Sequence, residues 1–171
     1  RIWYAGERIG EVGYIDPATG KITRFPTPTP NSGPHRLHLD SQGAAWFNLF
    51  NVSKIARADP ATGKVTEWDL PGPRTGRPYA FGLDKQGRIW TQTYRDDLLH
   101  MFDPKTERFI TYLMPAKGLG LRDFYEDENG WMWAGVFGRN QVLGFKLGVA
   151  VSPLELQEGR ADRLRGPTRA G

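Results

Sequence analysis

Three kinds of residue recur along this chain at one interval, and this repeat constrains the fold more than any other feature. They are the aspartates of one predicted turn, the aspartates of a second predicted turn and a tryptophan: Asp16, Asp59 and Asp103; Asp40, Asp84 and Asp127; and Trp3, Trp46, Trp90 and Trp133. Successive members of each set lie 43 or 44 residues apart. A period of about 40–45 residues with four strand-sized segments is typical of a β-propeller blade.

The second repeat shows how one unit divides into strands, which we label a to d. They are predicted at residues 35–39, 44–49, 54–58 and 64–70. An aspartate opens each of the a–b and c–d turns, and a glycine takes the left-handed position that closes it. In the third repeat Glu107 replaces this glycine of the c–d turn, which predicts a strained or altered turn there.

The repeat predicts an all-β fold, a β-propeller of four-stranded antiparallel blades whose ring is incomplete. We expect a partial propeller over residues 1–156, divided into a partial blade at 1–25 and blades at 34–71, 78–114 and 121–156. The repeat is lost from residue 157, and the Gly-, Arg- and Pro-rich stretch 157–171 is predicted to be a mobile tail. About three and a half blades leave apolar blade faces and a strand edge open. This predicts self-association, or completion by missing blades of the same chain.

Composition argues against several classes of partner. The tail 157–171 contains four arginines and two acidic residues, so it supplies +2 of the net charge of +4. Positive and negative residues are interspersed in the rest of the chain. This distribution does not favour nucleic-acid binding. No apolar run approaches the roughly 18 residues of a membrane helix, so no membrane partner is expected. The chain has no cysteine, which excludes disulfides and thiolate metal sites.

The repeated tryptophans are predicted to be structural, because a bulky ring at the start of strand b fills the wedge between neighbouring blades. On this interpretation Trp90→Ala costs several kcal/mol of stability. His100 falls in the middle of a strand c, and its replacement by alanine is expected to cost little. His38 is also interpreted as structural.

The d–a and b–c connections are long and varied and share one face of the propeller, which we call the loop face, and any site is expected there. His35, Tyr79 and Arg122 begin strand a in successive repeats, so they are predicted to ring the mouth of the central channel. His35 is the candidate general base or metal ligand. The predicted ligand-binding residues are Arg36, Asn48, Arg77, Tyr79, Arg122 and Arg139. Further candidates on this face are Asn51, Tyr94, Arg95, Asp96, Asp123 and Asn140. The arginines favour an anionic ligand, either a small molecule or a peptide.

Several segments together resemble the streptogramin lyases, also called virginiamycin B lyases. They are Gly33-Pro34-His35 before strand a, Ala45-Trp46-Phe47-Asn48 in strand b, the c–d segment from Ser53 to Glu67, and the Pro-rich loop from Pro26 to Pro34. The resemblance covers about residues 1–147. It implies a seven-bladed propeller that confers antibiotic resistance by opening type B streptogramins through elimination, with a magnesium ion (Mg²⁺). It also favours a secreted or periplasmic location.

The resemblance assigns His35 to the Gly-Pro-His position of the family, as the base that removes a proton next to a carbonyl. The family commonly has glutamate at the fourth position of Trp-Phe-Thr-Glu in strand b. Here that position holds other residues: Gly6, Leu49, Thr93 and Val136. Either the remaining catalytic groups lie in missing blades, or this member has no lyase site.

Three hypotheses for function follow. The first is a Mg²⁺-dependent C–O lyase with part of its active site outside this chain. The second is a non-catalytic propeller that binds a peptide, a glycan or another protein on its loop face. The third is a small-molecule sensor or a lactone-type hydrolase.

Overall fold

A computed structural model shows fourteen antiparallel strands arranged in four sheets, and it describes residues 1–137 and 139–146. The first sheet contains β1 (Ile2–Gly6), β2 (Glu11–Ile15) and β3 (Ile22–Pro26). The second contains β4 (Pro34–Leu39), β5 (Ala45–Leu49), β6 (Lys54–Ala58) and β7 (Val65–Asp69). The third contains β8 (Pro78–Leu83), β9 (Ile89–Thr93), β10 (Leu98–Asp103) and β11 (Arg108–Leu113). The fourth contains β12 (Leu121–Glu126), β13 (Trp131–Val136) and β14 (Gln141–Lys146).

Each strand pairs with its neighbour in sequence, so every sheet is an up-and-down meander, as in a propeller blade. The a strands β4, β8 and β12 lie side by side and form the inner wall. Over the described residues the fold is all-β and the ring is open, which confirms the predicted fold class. No helix in this part of the chain is long and apolar enough to span a membrane. The predicted end of the fourth blade, at 147–156, and the tail at 157–171 lie outside the described residues.

The turn aspartate and the tryptophan of each repeat form one structural unit. Asp84 Oδ1 accepts hydrogen bonds from the backbone N–H groups of Gln86 and Arg88 at 3.0 and 2.9 Å, which closes the a–b turn. Its Oδ2 accepts the indole N–H of Trp90 at 2.8 Å. The same indole bond recurs from Trp46 to Asp40 at 3.0 Å and from Trp133 to Asp127 at 2.9 Å. The two sequence markers share a period because they bind each other.

Three apolar clusters form the core, and each lies between two successive blades. Trp46 and Trp90 point into these junctions and are only 3% and 4% exposed. The a strands approach so closely that a Cβ atom added to Gly82 would lie 2.4 Å from the carbonyl oxygen of Phe124. Packing between blades therefore supplies the apolar core of this fold.

The c–d turn of the third repeat has the same geometry as the c–d turns of the other repeats, although it lacks their glycine. Glu107 has φ 54°, against 75° for Gly63, and its N–H reaches the carbonyl of Asp103 at 2.8 Å. The hydrogen bond of the turn is thus retained. The predicted strain is that of Glu107, a residue other than glycine in the left-handed region.

His100 is fully buried, contrary to the expectation that its loss costs little. Its Nδ1 atom lies 2.9 Å from the hydroxyl of Thr111, and burial lowers the pKa of the imidazole to about 4. Truncation to alanine would leave a cavity in blade three, so we now expect a substantial loss of stability.

We expect Trp90→Ala to lower the free energy of unfolding by about 3–5 kcal/mol, because it removes a large side chain from the junction between the third and fourth blades. The matched change Ile110→Ala, at a residue 49% exposed, should cost less than about 1 kcal/mol. Urea denaturation followed by circular dichroism measures both values. Equal losses would contradict the proposed blade packing.

Acid should destabilise the chain through His100. In the unfolded chain this group has its ordinary pKa of 6.5, whereas in the folded chain the pKa is about 4. Only the unfolded chain binds the proton between these values, so stability is complete above pH 6.5 and falls as the pH drops towards 4. The full effect is about 3 kcal/mol, at about 1.4 kcal/mol per pH unit.

The variant His100→Leu removes this titration, so its unfolding free energy should fall less steeply between about pH 6.5 and pH 4 than that of the wild type. Urea titrations at a series of pH values test the difference. Parallel curves for the two proteins would show that His100 does not cause the acid sensitivity.

Candidate functional site

The residue that precedes each a strand adopts the left-handed conformation. These residues are Gly33, Arg77 and Gly120, with φ of 68°, 53° and 53°. Each accepts a backbone hydrogen bond from the b–c loop of its own blade, donated in turn by Phe50, Tyr94 and Phe137 at 2.9–3.1 Å. Two residues after each of these positions comes a predicted site residue: His35, Tyr79 and Arg122. Because the geometry is shared, the three residues occupy equivalent places at the end of the inner wall that lies on the loop face.

The Pro-rich loop before His35 is anchored by a buried carboxylate. Glu67 on β7 accepts hydrogen bonds from the backbone and hydroxyl of Thr29 and pairs with Lys54 at 3.1 Å. Burial by itself would raise the pKa of Glu67, but these hydrogen bonds and the ammonium group hold it below its usual value. The loop is therefore fixed in place by the charge of Glu67.

Five side chains meet at the inner wall, and we call them the mouth cluster: His35, Arg36, Tyr79, Arg122 and Asp123. The rings of His35 and Tyr79 lie 4.6 Å apart. The guanidinium carbons of Arg122 and Arg36 lie 4.4 and 5.2 Å from the centre of the Tyr79 ring. Arg36 also pairs with Asp123 at 3.2 Å, which links the second blade to the fourth. The three residues predicted to ring the mouth thus belong to one cluster.

Several buried polar atoms of the cluster have no hydrogen-bond partner among the described residues. They are Nδ1 of His35, Nε of Arg36, Nη1 of Arg122 and Oδ1 of Asp123. Buried polar groups in proteins are normally paired, so such atoms mark a place where a ligand or water completes the network. An open cavity of about 320 Å³ borders Arg36, Arg122 and Asp123 on the side of the fourth blade, where Tyr125, Trp133 and Val142 also line it; His35 and Tyr79 do not line this cavity.

The imidazole of His35 has a lowered pKa. Burial is the largest cause, the positive charges of Arg36 and Arg122 add to it, and the carboxylates of Glu7 and Asp123 oppose it. His35 is therefore neutral at neutral pH, which is the form that a general base requires.

Asn48 was predicted to bind a ligand, but the structure commits its amide to the backbone. The side chain is fully buried. Its Oδ1 accepts the N–H of Arg36 at 2.8 Å, and its Nδ2 donates to the carbonyls of Pro78 and Tyr79 at 3.0 and 2.9 Å. Asn48 thus joins the a strands of two blades and positions the mouth cluster from behind.

The other predicted ligand-binding arginines lie around the cluster. The guanidinium of Arg77 lies 5.2 Å from the ring centre of Phe50, which itself packs on His35 at 5.6 Å. Arg139 is exposed, and its Nη2 donates to the carbonyl of Lys117 at 2.8 Å, so it supports the d–a loop. The sequence analysis did not name Phe50 and Phe137 as site residues, although each begins a b–c loop that the repeat had located. The ring centre of Phe137 lies 4.1 Å from the guanidinium carbon of Arg122.

The residues of the mouth do not fit the Mg²⁺ ion that the resemblance implies. Magnesium prefers carboxylate oxygens, and the one carboxylate of the cluster, Asp123, already pairs with Arg36. The neighbouring guanidiniums repel a cation. Throughout residues 1–137 and 139–146, no three His, Asp or Glu side chains gather as a metal site would require.

The fold and the mouth cluster define this chain as an open β-propeller with a polar site at its central channel. Solved structures with this fold include virginiamycin B lyase from Staphylococcus aureus, with a TM-score of 0.77 at 23% identity over 85% of this chain and 48% of that one. A catalytically inactive variant of that lyase with quinupristin gives a TM-score of 0.72 at 20% identity, over 86% and 52% of the two chains.

A third similar structure is the extracellular domain described as that of a hybrid two component system from B. thetaiotaomicron, with a TM-score of 0.67 at 17% identity over 85% and 20% of the chains. No protein-family model and no curated protein matches the chain. The chain spans about half the length of the lyase structures. The similarity in fold to the streptogramin lyases, which the sequence indicated, is confirmed.

We expect Asn48→Ala to cost about 2–4 kcal/mol of stability, because it leaves a backbone N–H and two carbonyls buried without their partner. Asn51 offers a matched control, since it is exposed and makes one side-chain bond, to the carbonyl of Asn31 at 3.1 Å. Asn51→Ala should cost less than about 1 kcal/mol. Thermal and urea melts of both variants test this, and a stable Asn48→Ala protein would show that the buried amide does not join the blades.

Proposed function

We propose that this chain forms part of a C–O lyase of the streptogramin lyase type, in which the mouth cluster binds a carbonyl-bearing ligand and His35 is the base. The observation that carries the proposal is the convergence around Tyr79 of a neutral imidazole with a free Nδ1 and of two guanidiniums with unpartnered nitrogens. Proton removal next to a carbonyl needs a base on one side and positive charge near the carbonyl oxygen. The name of the S. aureus neighbour supports the reaction class.

The proposed step conserves atoms and charge. His35 Nδ1 takes a proton from the carbon next to a carbonyl group of a cyclic depsipeptide. The electron pair of that C–H bond forms a C=C bond with the following carbon, while the ester C–O bond on that carbon breaks and the oxygen leaves as a carboxylate. Arg36 and Arg122 stabilise the negative charge that develops on the carbonyl oxygen, as donors of charge-assisted hydrogen bonds.

The second candidate function is binding without catalysis. Two observations favour it: no strand-b position of the four repeats carries the glutamate typical of the lyases, and the mouth residues do not fit Mg²⁺. The mouth cluster would then hold an anionic small molecule or peptide through Arg36 and Arg122. The extracellular domain named above is a neighbour whose name states no enzymatic activity.

Quinupristin, the ligand of the inactive lyase variant, provides the first test. We expect the protein that contains this chain to convert it to an isomer of unchanged mass with a new C=C absorbance, because elimination adds no water. The rate should rise with pH through a value below 6.5, the ordinary pKa of histidine, since the pKa of His35 is lowered. His35→Ala should reduce the rate by about 100-fold or more.

The control variant is Arg108→Met, which removes an exposed arginine of the outer strand β11 and should leave the rate within about twofold of the wild type. Arg122→Met should weaken both binding and turnover. Saturable binding of quinupristin without any isomerisation would establish the second function instead. A product heavier by one water molecule would contradict elimination.

A further inference from the structure

The a–b turn of the fourth blade differs in chemistry from the same turn of the two preceding blades. The residue before the turn glycine is Gln42 in the second blade and Gln86 in the third, whereas it is Asn129 in the fourth. Asn129 is followed by Gly130, and no other asparagine of this sequence is followed by glycine. Asparagine carries the same amide as glutamine on a side chain that is shorter by one methylene group. This brings the amide carbon within reach of the next backbone nitrogen.

An asparagine that precedes glycine loses its amide without an enzyme. The backbone nitrogen of the following residue attacks the side-chain amide carbon, a C–N bond forms, and the amide nitrogen leaves as ammonia with the proton of the attacking nitrogen. Water then opens the five-membered cyclic imide at either carbonyl and gives aspartate or isoaspartate. Glycine favours the attack because it has no Cβ atom beside the nitrogen. Glutamine would form a six-membered ring, which closes far more slowly.

The structure leaves Asn129 open to this reaction. The residue is exposed, and among the described residues no hydrogen bond holds its side-chain amide. The attacking nitrogen, that of Gly130, donates to the carbonyl of Asp127 at 3.3 Å, whereas Gly43 and Gly87 make the equivalent bond at 3.0 and 2.9 Å. A Cβ atom added to Gly130 would meet no atom closer than 3.9 Å, so the space around this residue is free.

The exposure of this turn does not depend on an open side of the fourth blade. Gln42 and Gln86 occupy the same place in their turns, and both are exposed although a further blade packs beside each of them. The exposure of Asn129 therefore follows from its position in the repeat.

We propose that Asn129 is a site of spontaneous deamidation, at which the folded protein is slowly converted to aspartate and isoaspartate forms. The turn aspartate connects this change to the blade. Asp127 Oδ1 accepts the N–H groups of Asn129 and Trp131 at 2.8 and 2.9 Å, and its Oδ2 accepts the indole N–H of Trp133 at 2.9 Å. Isoaspartate inserts an additional carbon atom into the backbone between the two N–H groups, so they no longer match one oxygen atom. The modification thus loosens the support of Trp133.

The experiment incubates the protein that contains this chain for several weeks in mildly alkaline and in mildly acidic buffer, and then analyses its tryptic peptides by mass spectrometry. The peptide 123–139 contains Asn129. We expect it to gain the mass difference between water and ammonia and to elute as two new forms, one of which accepts a methyl group from protein isoaspartate methyltransferase. The conversion should be faster in alkaline buffer, because the attacking nitrogen must lose its proton. Freshly purified protein, digested identically, measures the conversion caused by handling.

The matched variant is Asn129→Gln, which restores the residue of the other two turns and should leave the peptide unmodified over the same period. Asn31 is a control within the same protein, since the next residue, Ser32, is fully buried, and we expect it to stay intact. Asn129→Asp adds the charge without the additional backbone atom. It should therefore melt at a higher temperature than the isolated isoaspartate form.

Three results would overturn the proposal. The first is an Asn129 that stays intact in the folded protein, and incubation in guanidinium chloride would then show whether the turn protects it. Conversion of Asn31 to the same extent would show that neither glycine nor the exposed turn selects the site. Equal melting temperatures of the isoaspartate form and of Asn129→Asp would show that the altered backbone does not loosen the turn.

Discussion

The packing of a tryptophan of one blade on apolar residues of the next blade is the interaction on which the rest of this structure depends. The ring buries a large apolar surface, and its N–H is satisfied by the aspartate of the turn that leads into its own strand. Because Asp84 closes the turn and also accepts the indole N–H of Trp90, local turn chemistry holds the ring against which the following blade packs. Repeating this unit positions one blade after another around the channel.

The packing of each blade on the next also determines the geometry of the inner wall. Close approach of the a strands, as at Gly82, and the buried amide of Asn48 leave these strands little freedom to shift. On this rigid support, two guanidiniums and an imidazole converge on one tyrosine ring, with a single carboxylate to balance them. Burial, helped by the neighbouring positive charges, lowers the pKa of His35 and keeps it neutral. The surplus of positive charge favours ligands that carry an anionic or carbonyl oxygen.

Local positions with a left-handed backbone show where sequence reasoning reaches its limit. Glycine at 33 and 120 could be interpreted from sequence, since only glycine adopts this conformation freely. Arg77 adopts it at the place equivalent to Gly33 and Gly120, and Ser53 adopts it at the place equivalent to Gly10, without any signal in their side chains. Strained residues of this kind are retained where the surrounding structure requires them, and Arg77 directly precedes the a strand that carries Tyr79.

The sequence by itself determined the period, the strands, the turn aspartates and the role of the tryptophans, because each of these depends on local chemistry repeated every 43 or 44 residues. It also placed His35, Tyr79 and Arg122 at equivalent positions. Only the tertiary structure decided that Asn48 serves the scaffold, that His100 is buried, and that Arg36 reaches Asp123 two blades away. Those contacts join residues from different repeats, and their distances depend on how the blades are inclined to one another, which no local pattern encodes.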